Sequence, residues 1–463
     1  MMRKGKRVTR RHALALGAVA AAGTLAGGCS VGTRVAALTA NVLRVSLSVY
    51  VVGGGRGGSL SGLSAFLKGA IEASSPSISV KMEQGSDSVP LSWFPLPTSL
   101  WDGTAGIYKD DPSIPMPDLV VCRHKLMPSR LAVRALDLAP YLTIDQKSVS
   151  GLSSAILRQG MAFSPDRGTI QAAVPLLRIP ALSVVGDGVA PMHGSEAWSA
   201  ADFGEVLRAW SARLRPPSAP MAYLPVSTLF GAAVVGSGGA VARTTATDCI
   251  AVFGQQPAVG ALGSLIEWTR YCFNSSGPDL KWAVWLGSGE NVLKYGGAPI
   301  GGMAGNWFGW RVAPIPVFPM RPAVPTDNID VMVFRHTRHR REASAMAIRL
   351  LATRSQEQLR SYHGGLLLRA APATDQLRGV LSRFLGASIL ADPTWDITAE
   401  DVYGGEETLQ NAGAVGRVRS ALTGVLSTLT GSRGGYFNAR APEEAPLIGQ
   451  VTSALRSAEQ MAE

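Results

Sequence analysis

An alternation of strand and helix patterns near the start of the chain most constrains the fold. Residues 42–52 alternate apolar and polar side chains, residues 63–71 place apolar side chains at helical spacing, and residues 78–82 alternate again. Residues 118–122 then form a short apolar run typical of a buried strand. Strand, helix and strand in this order predict a parallel α/β sheet.

The composition sets the scale of the fold. The chain has 463 residues, of which 46% are hydrophobic and 17% charged, so it can bury a sizeable core divided over two or three lobes. Its 52 glycines and 29 prolines favour many turns and argue against a helical bundle or a coiled coil. Farther along, residues 172–185 predict strand segments broken around Pro175 and Pro180.

The N-terminus has the pattern of an export signal. Residues 1–12 contain six basic residues and no acid, and a short apolar run follows. The pair Arg10-Arg11 resembles a twin-arginine signal, and residues 25–29 resemble a lipoprotein signal in which Cys29 is acylated. We therefore expect residues 1–28 to be a signal peptide and residues 29–41 a lipidated tether, with an ordinary cleavable signal as the alternative.

The net charge has to be taken after removal of this signal. Loss of six basic residues lowers the formal charge from +11 to +5, so the charge does not indicate nucleic-acid binding. No later apolar run reaches the roughly 18 residues of a membrane span. The sequence therefore predicts an extracytoplasmic body held to the membrane by lipid at Cys29.

Three cysteines remain after Cys29: Cys122, Cys249 and Cys272. They contain no C-x-x-C pair, which argues against a structural zinc or iron–sulfur site. A disulfide between Cys249 and Cys272 is permitted in an oxidising compartment, but spacing alone cannot establish it.

The six histidines form no ligand cluster apart from His336 and His339. These two lie in the basic run of residues 335–341, for which a solvated loop is favoured over a metal site. Contact of this run with phosphate or a membrane surface is a weaker alternative. We expect no metal and no cofactor.

A glycine-rich segment offers a competing function. Gly53, Gly55 and Gly58 satisfy G-x-G-x-x-G between a predicted strand and helix, and Glu83 ends the next strand. This pattern would suit an exported flavin- or nicotinamide-dependent oxidoreductase. Glu83 lies 30 residues after Gly53, however, farther than the spacing of about 20 in dinucleotide-binding folds, so a flexible loop is favoured. G-x-S-x-G and H-E-x-x-H motifs are absent, and no catalytic set is recognised.

Several segments in sequence order resemble one known family. Residues 75–80, 116–121, 136–142, 295–298, 305–307 and 312–316 are similar to segments of the carbohydrate-type (family 1) solute-binding lipoproteins of ABC importers. The resemblance extends from about residue 41 to about residue 390. It implies an α/β, two-lobed periplasmic-binding-protein-like (type II) fold with a ligand cleft between the lobes.

The resemblance also implies an organisation and a role. Lobe 1 is expected to comprise residues 42–175 and 330–372, and lobe 2 residues 176–329 and 373–463. The chain is expected to be a monomeric binding protein, not an enzyme, that captures a sugar-like solute by hinge closure. It would deliver this solute to the transmembrane subunits of an ABC permease.

Candidate binding residues follow from the same resemblance. Trp307 matches the position of a stacking aromatic, and sugar rings favour flat apolar faces. Arg123, His124, Lys125 and Arg178 stand where the family often has aromatic or acidic groups. They would suit an acidic or phosphorylated sugar, the alternative being charges that face solvent or pair across the lobes.

Two further pairs complete the predicted site. Ser227 and Thr228 are expected on the side of the second lobe. Trp101 and Asp102 lie in a loop of suitable composition, although no motif supports their assignment.

Overall fold

The computed structural model describes a set of ranges that together cover most of the chain after residue 44. They are residues 45–55, 58–75, 77–93, 96–97, 108–109, 115–124, 129–164, 166–186, 198–213, 219–221, 224, 226–272, 282–289, 293, 310–362, 364–380, 387–430 and 448–462.

The described residues contain strands and helices in alternation. The strands are β1 (Val45–Val51), β2 (Ile78–Gln84), β3 (Leu96–Pro97), β4 (Tyr108–Lys109), β5 (Leu119–Arg123), β6 (Met161–Ser164), β7 (Gly168–Gln171), β8 (Ala173–Gly186), β9 (Ala219–Met221), β10 (Ala242–Thr244), β11 (Cys249–Ala251), β12 (Trp282–Ser288), β13 (Trp310–Pro314), β14 (Val324–Val333) and β15 (Asp396–Ile397). The helices are α1 (Leu63–Ser74), α2 (Ser129–Ala132), α3 (Ala139–Ile144), α4 (Gln146–Val149), α5 (Ser154–Gln159), α6 (Ala200–Ser211), α7 (Val226–Gly236), α8 (Ala258–Thr269), α9 (Arg340–Arg349), α10 (Thr353–Leu359), α11 (Ala370–Val380), α12 (Ala387–Ala391), α13 (Ala399–Tyr403), α14 (Ala412–Thr430) and α15 (Ile448–Ala462).

A mixed sheet organises the molecule. Its strand order is β2-β1-β5-β14-β8-β12-β9, with β13 also paired to β8 and β15 to β14. Strands β1, β2 and β5 are parallel, which confirms the prediction from the first strand–helix–strand pattern. Strand β14 is antiparallel to both β5 and β8, so it lies in the middle of the sheet.

Strand β8 changes partners along its length. Residues 173–180 pair with β14, and residues 181–186 pair with β12 and β13. The prediction of separate strand segments was wrong. Strand β8 continues through both prolines, because each lies where its pairing with β14 shifts in register or ends. Pro175 lies at a shift in register opposite Asp330, and Pro180 is the last residue paired with β14.

The described residues form three hydrophobic clusters, and the two largest lie at the two ends of this crossing strand. The first core packs α1, α9 and α10 against β1, β5 and β14, with Leu67, Ile329 and Met346 fully buried. The second core packs α7, α8, α14 and α15 around Phe230 and Trp268. Each core belongs to one lobe, and β8 contributes residues to both.

The predicted lobe boundary lies close to this crossing. Residues 175 and 176 are both within β8, a few residues before its change of partner at Ala181. The assignment of residues 42–175 with 330–372 to one lobe, and of the remainder to the other, stays a prediction. Among the described helices, none is both long and apolar enough to cross a membrane.

Candidate functional site

The junction of the two lobes lies at one edge of the first sheet. Strands β1, β5 and the first half of β8 run in the same direction, so their carboxyl ends meet at this edge. In open α/β sheets, ligands bind outside the carboxyl ends of the strands. We therefore take this edge, where β8 leaves the first lobe for the second, as the candidate site.

Arg123 is the last residue of β5 and lies at this junction. Its side chain is buried and forms an ion pair with Asp327 of β14, at 2.8 Å from Nε and 2.5 Å from a terminal nitrogen. It also donates to Ser288 Oγ of β12 at 3.4 Å, so it connects the first lobe to a strand of the second. The carboxylate neutralises the guanidinium, which leaves hydrogen-bond donors at the junction but little net charge.

His124 follows Arg123 and points to the opposite face of the sheet. Its Nδ1 lies 2.7 Å from Oδ2 of Asp330, which is fully buried. Burial lowers the pKa of His124, but the charge and hydrogen bond of Asp330 outweigh this effect and leave that pKa raised. Burial raises the pKa of Asp330, and His124 only partly opposes that shift. The pair therefore binds protons more tightly than either group does in water.

Arg178 lies inside the protein, away from the solvent. Its side chain has no exposed surface, its Nε and a terminal nitrogen donate to Asp396, and its other terminal nitrogen donates to the Ala391 carbonyl oxygen. The prediction that Arg178 contacts the solute does not fit this placement, because all of its charge is used by Asp396. Of the alternatives, in which the charge faces solvent or pairs across the lobes, exposure to solvent does not apply, and the side chain is paired with an acid instead.

A cavity of about 340 Å³ lies between the β6–β7 hairpin and α13–α14. Asn328 and Thr326 line it, on the face of β14 opposite Asp327, and His124 lies at its rim. Two ion pairs lie in its walls, with Arg158 at 3.7 Å from Glu400 and Arg419 at 3.0 Å from Glu407. Glu406 and His124 also line it, and amide, hydroxyl and apolar groups form the remainder, so the cavity suits a polar molecule.

The glycine-rich segment uses its amides internally. The amides of Gly53, Gly55 and Gly58 all donate to backbone carbonyl oxygens. The Asp87 carboxylate accepts from the Ser59 amide at 2.9 Å and lies where the side chain of a residue at position 53 would stand. A pyrophosphate needs free amides and no adjacent carboxylate. Nothing in the described residues of this loop supports the oxidoreductase alternative.

The remaining predicted residues are dispersed or lie outside the described ranges. Thr228 is exposed on α7; the backbone of Ser227 belongs to the same helix, but its side chain is outside the described part. Those outside the described residues altogether are Cys29, Trp101, Asp102, Lys125 and Trp307.

The structure bears on the disulfide and the metal site that the sequence brought into question. Cys249 and Cys272 are buried free thiols, so the disulfide considered for them does not form in this structure. Cys249 lies in β11 and accepts from Thr244 Oγ1, whereas Cys272 donates to the Trp268 carbonyl oxygen. Among the described residues, no group of three or more acidic, histidine or cysteine side chains could hold a metal ion.

The acidic half of the junction was not predicted from the sequence. Asp327, Asp330 and Asp396 are the partners of Arg123, His124 and Arg178, although each acid lies more than 200 residues away in the chain. A signal was available, because Asp327 and Asp330 lie within β14, a strand that is otherwise apolar toward its end. A charge in such a strand requires a partner.

No protein-family model matches the chain, and no curated protein matches its sequence. Solved structures do match its fold. The chain is similar to the sugar-binding protein MalE from Xanthomonas citri, at 14% identity and a TM-score of 0.56, over 89% of this chain and 98% of that one. It is similar to UgpB from Mycobacterium tuberculosis in complex with glycerophosphocholine, at 15% identity and a TM-score of 0.56, over 89% of this chain and 97% of that one.

A third structure carries the same fold. It is the ABC substrate-binding protein Lmo0181 from Listeria monocytogenes in complex with cycloalternan, at 11% identity and a TM-score of 0.53, over 90% of this chain and 98% of that one. The chain therefore has the α/β, two-lobed solute-binding fold of these proteins, and the predicted fold class is confirmed.

Proposed function

We propose that this chain is the extracytoplasmic solute-binding component of an ABC importer and that it captures a sugar or sugar-derived solute by hinge closure. The observation that carries the proposal is the crossing strand β8, which continues from the sheet of one core into the sheet of the other. Two lobes joined in this way can rotate about the crossing while each core stays packed. The three similar structures support a binding role, since each is described as a solute- or sugar-binding protein or holds a small solute.

The lobe assignment follows the two cores. We assign residues 42–175 and 330–372 to lobe 1 and residues 176–329 and 373–463 to lobe 2, with β8 and β14 as the crossings. The solute would lie at the carboxyl ends of the lobe 1 strands, between Arg123 and the second lobe. Trp307 supplies the stacking face there, as the family resemblance implies.

Two ion pairs at the junction support an uncharged solute. Asp327 neutralises Arg123 and Asp396 neutralises Arg178, so two of the four basic residues that suggested an anionic solute are already paired. A neutral sugar or polyol, bound by hydrogen bonds and an aromatic face, fits the described part of the junction better than an acidic sugar. His124 and Lys125 would then adjust specificity rather than set it.

Export and anchoring complete the proposal. The basic N-terminus with Arg10-Arg11 would direct the chain to the twin-arginine route, and Cys29 would carry the lipid. The anchored monomer would meet the transmembrane subunits of its permease at the membrane. Neither a cofactor nor a nucleic acid takes part.

A thermal-shift screen tests the function. The full chain, purified with its lipid, is heated with neutral sugars, sugar acids, sugar phosphates, polyols, flavins and nicotinamide dinucleotides. A ligand at about 100 times its dissociation constant adds about 2.7 kcal/mol of stability. We expect stabilisation by one class of neutral sugar or polyol, with a smaller radius of gyration in its presence. Stabilisation by a flavin or dinucleotide alone, or by no member of the panel, would contradict the proposal.

A further inference from the structure

The amino edge of the first sheet lies opposite the candidate ligand site. Leu119 at the start of β5 pairs with Val49 of β1 and Val333 at the end of β14, and β1 extends from there to Val45. The chain after β14 enters the basic run at this edge. Thr337 of that run donates to the Asp118 carboxylate, which also accepts from the Ser48 amide of β1 at 2.8 Å.

Four arginines give this edge a positive surface. Arg338, Arg340, Arg341 and Arg349 are exposed, and none of them has an acidic partner among the described residues. Arg349 donates to Ser75 Oγ at 2.7 Å, which places it beside the start of β2. We call Arg338, Arg340, Arg341 and Arg349 the basic edge.

The neighbouring charges do not cancel the basic edge. Asp166 is occupied by Arg335 at 2.9 Å, and the Asp118 carboxylate is hydrogen-bonded to Thr337 and Ser48. Glu342 remains as one nearby acid in the first turn of α9. Arg340 and Arg341 lie in that same turn, where a cation opposes the helix dipole and lowers helix stability. Because these arginines lower the stability of the helix, we infer that they serve a function other than stabilising the fold.

The chain that leads to the proposed lipid also leaves from this edge. Strand β1 begins at Val45, sixteen residues after Cys29, and even a fully extended segment of that length spans only about 55 Å. The segment that would carry the lipid therefore joins lobe 1 at the same edge as the basic edge. Bacterial membranes carry anionic phospholipid headgroups that attract clustered arginines within a Debye length of the surface.

We propose that the basic edge rests on the anionic phospholipid surface of the membrane that holds the anchor. The inference rests on the proposed lipid at Cys29 and adds an orientation to it. The lipid holds the chain at the membrane, and the basic edge turns lobe 1 so that its amino edge faces the headgroups. The candidate ligand site, at the opposite edge of the same sheet, then faces away from the bilayer and is open to solute. Delivery to the permease requires the basic edge to leave the surface.

Hydrogen exchange on vesicles tests this orientation. The lipidated full chain is reconstituted in phosphatidylcholine vesicles with or without phosphatidylglycerol. With phosphatidylglycerol, we expect amides of residues 335–349 to exchange at least about threefold more slowly, and about 0.5 M NaCl to remove the difference. Equal exchange in both kinds of vesicle overturns the proposal.

Two charge-reversal variants provide the comparison. Arg338→Glu/Arg340→Glu/Arg341→Glu is expected to abolish the protection. A control variant makes the same charge change at three exposed arginines around the second core, Arg243→Glu/Arg270→Glu/Arg456→Glu. This variant is expected to retain the protection. Loss of protection in the second variant, or equal protection by a DNA duplex in place of vesicles, indicates general attraction to polyanions and overturns a membrane-specific contact.

The experiment distinguishes a missing lipid anchor from a missing contact between the basic edge and the membrane. Flotation with phosphatidylcholine vesicles, in both variants and the native chain, reports the lipid alone. A chain that does not float overturns the anchored orientation together with the proposed lipid, whereas a chain that floats without protection overturns the orientation only. Stabilisation by sugar in the same preparations reports the binding function independently of both.

Discussion

Arg178 and Asp396 form a bidentate ion pair in which neither side chain has any exposed surface. The donor–acceptor distances are 2.6 and 2.5 Å, and the pair ties the crossing strand β8 to β15. Gln159 and Thr326 also donate to the same carboxylate, so every oxygen of Asp396 is satisfied. A desolvated pair of this kind is stable only while both partners are present.

Removal of one partner is expected to destabilise the protein strongly. Asp396→Ala leaves the Arg178 charge buried without a partner, and the free energy of unfolding should fall by about 3–5 kcal/mol. Arg178→Met/Asp396→Leu removes both charges and should recover most of this loss. Urea unfolding followed by circular dichroism measures both effects. A loss below about 1 kcal/mol for the single variant would show that the pair is not desolvated in solution.

The stability of the protein should fall as the pH rises. The pKa of His124 and the pKa of Asp330 are both raised by their environment, so the folded state binds protons more tightly than the unfolded state. Stability from His124 is complete below its ordinary pKa of about 6.5 and is lost as the pH passes its raised value. Stability from Asp330 is likewise lost as the pH passes its raised value, starting from its ordinary range near pH 4.

Urea midpoints from about pH 5 to about pH 8.5 should therefore decrease. The double variant His124→Gln/Asp330→Asn should give a flatter profile, and His336→Gln, at an exposed histidine, should keep the native slope. A native profile that rises over this range would contradict the environment described for the pair.

Release of Arg123 from its partner should change the preferred solute. Asp327→Asn removes the carboxylate that neutralises the guanidinium, and the free charge should favour a sugar acid over the neutral sugar. We expect the ratio of the two affinities to shift by about tenfold, or about 1.4 kcal/mol. Calorimetric titration of each variant with both solutes measures the ratio. Glu205→Gln makes the same charge change at an exposed pair with Arg208 and should leave the ratio unchanged.

Alanine substitutions at two tryptophans should distinguish a loss of solute binding from a loss of stability. Trp307→Ala removes the proposed stacking face and should weaken solute binding at least about tenfold with little change in melting temperature. Trp268→Ala empties the second core, where that side chain is fully buried, and should cost about 3–5 kcal/mol of stability. If Trp307→Ala is as destabilising as Trp268→Ala, Trp307 belongs to a core and not to the site.

Thiol titration checks the cysteines and the anchor together. Cys122, Cys249 and Cys272 are buried, and burial raises the pKa of each thiol, so the native protein should not react with a thiol reagent. After unfolding, three reactive thiols are expected when Cys29 carries lipid on its sulfur. Four would show that Cys29 is not acylated, and one would show that Cys249 and Cys272 are paired.

Local periodicity was sufficient for the early elements of lobe 1. The predicted strand at residues 42–52 is β1, the helix at residues 63–71 is α1, and the apolar run at residues 118–122 is β5. Each buries one face in a way that its own residues display, so neighbouring sequence carries the information.

The junction could not be derived in this way. Arg178 interrupts an apolar strand, and only a partner in β15 explains why it is buried there. Strand β14 carries Asp327 and Asp330, which local patterns assign to solvent, although Arg123 and His124 hold them inside. A local pattern shows that a charge in an apolar strand needs a partner, but it does not identify a partner more than 200 positions away. The charges were therefore predictable from the sequence, and their pairing was not.

The central position of β14 determines the order in which the molecule can be completed. This strand lies between β5 and β8, yet the ribosome makes it after β9, β12 and β13 of the other lobe. Until residue 333 exists, β5 and β8 have no common neighbour and the first sheet stays open. The lobe that is begun first is therefore finished last. Neither core is formed by a contiguous piece of chain, and the proposed twin-arginine translocase, which accepts folded cargo, would suit a protein that cannot mature piece by piece.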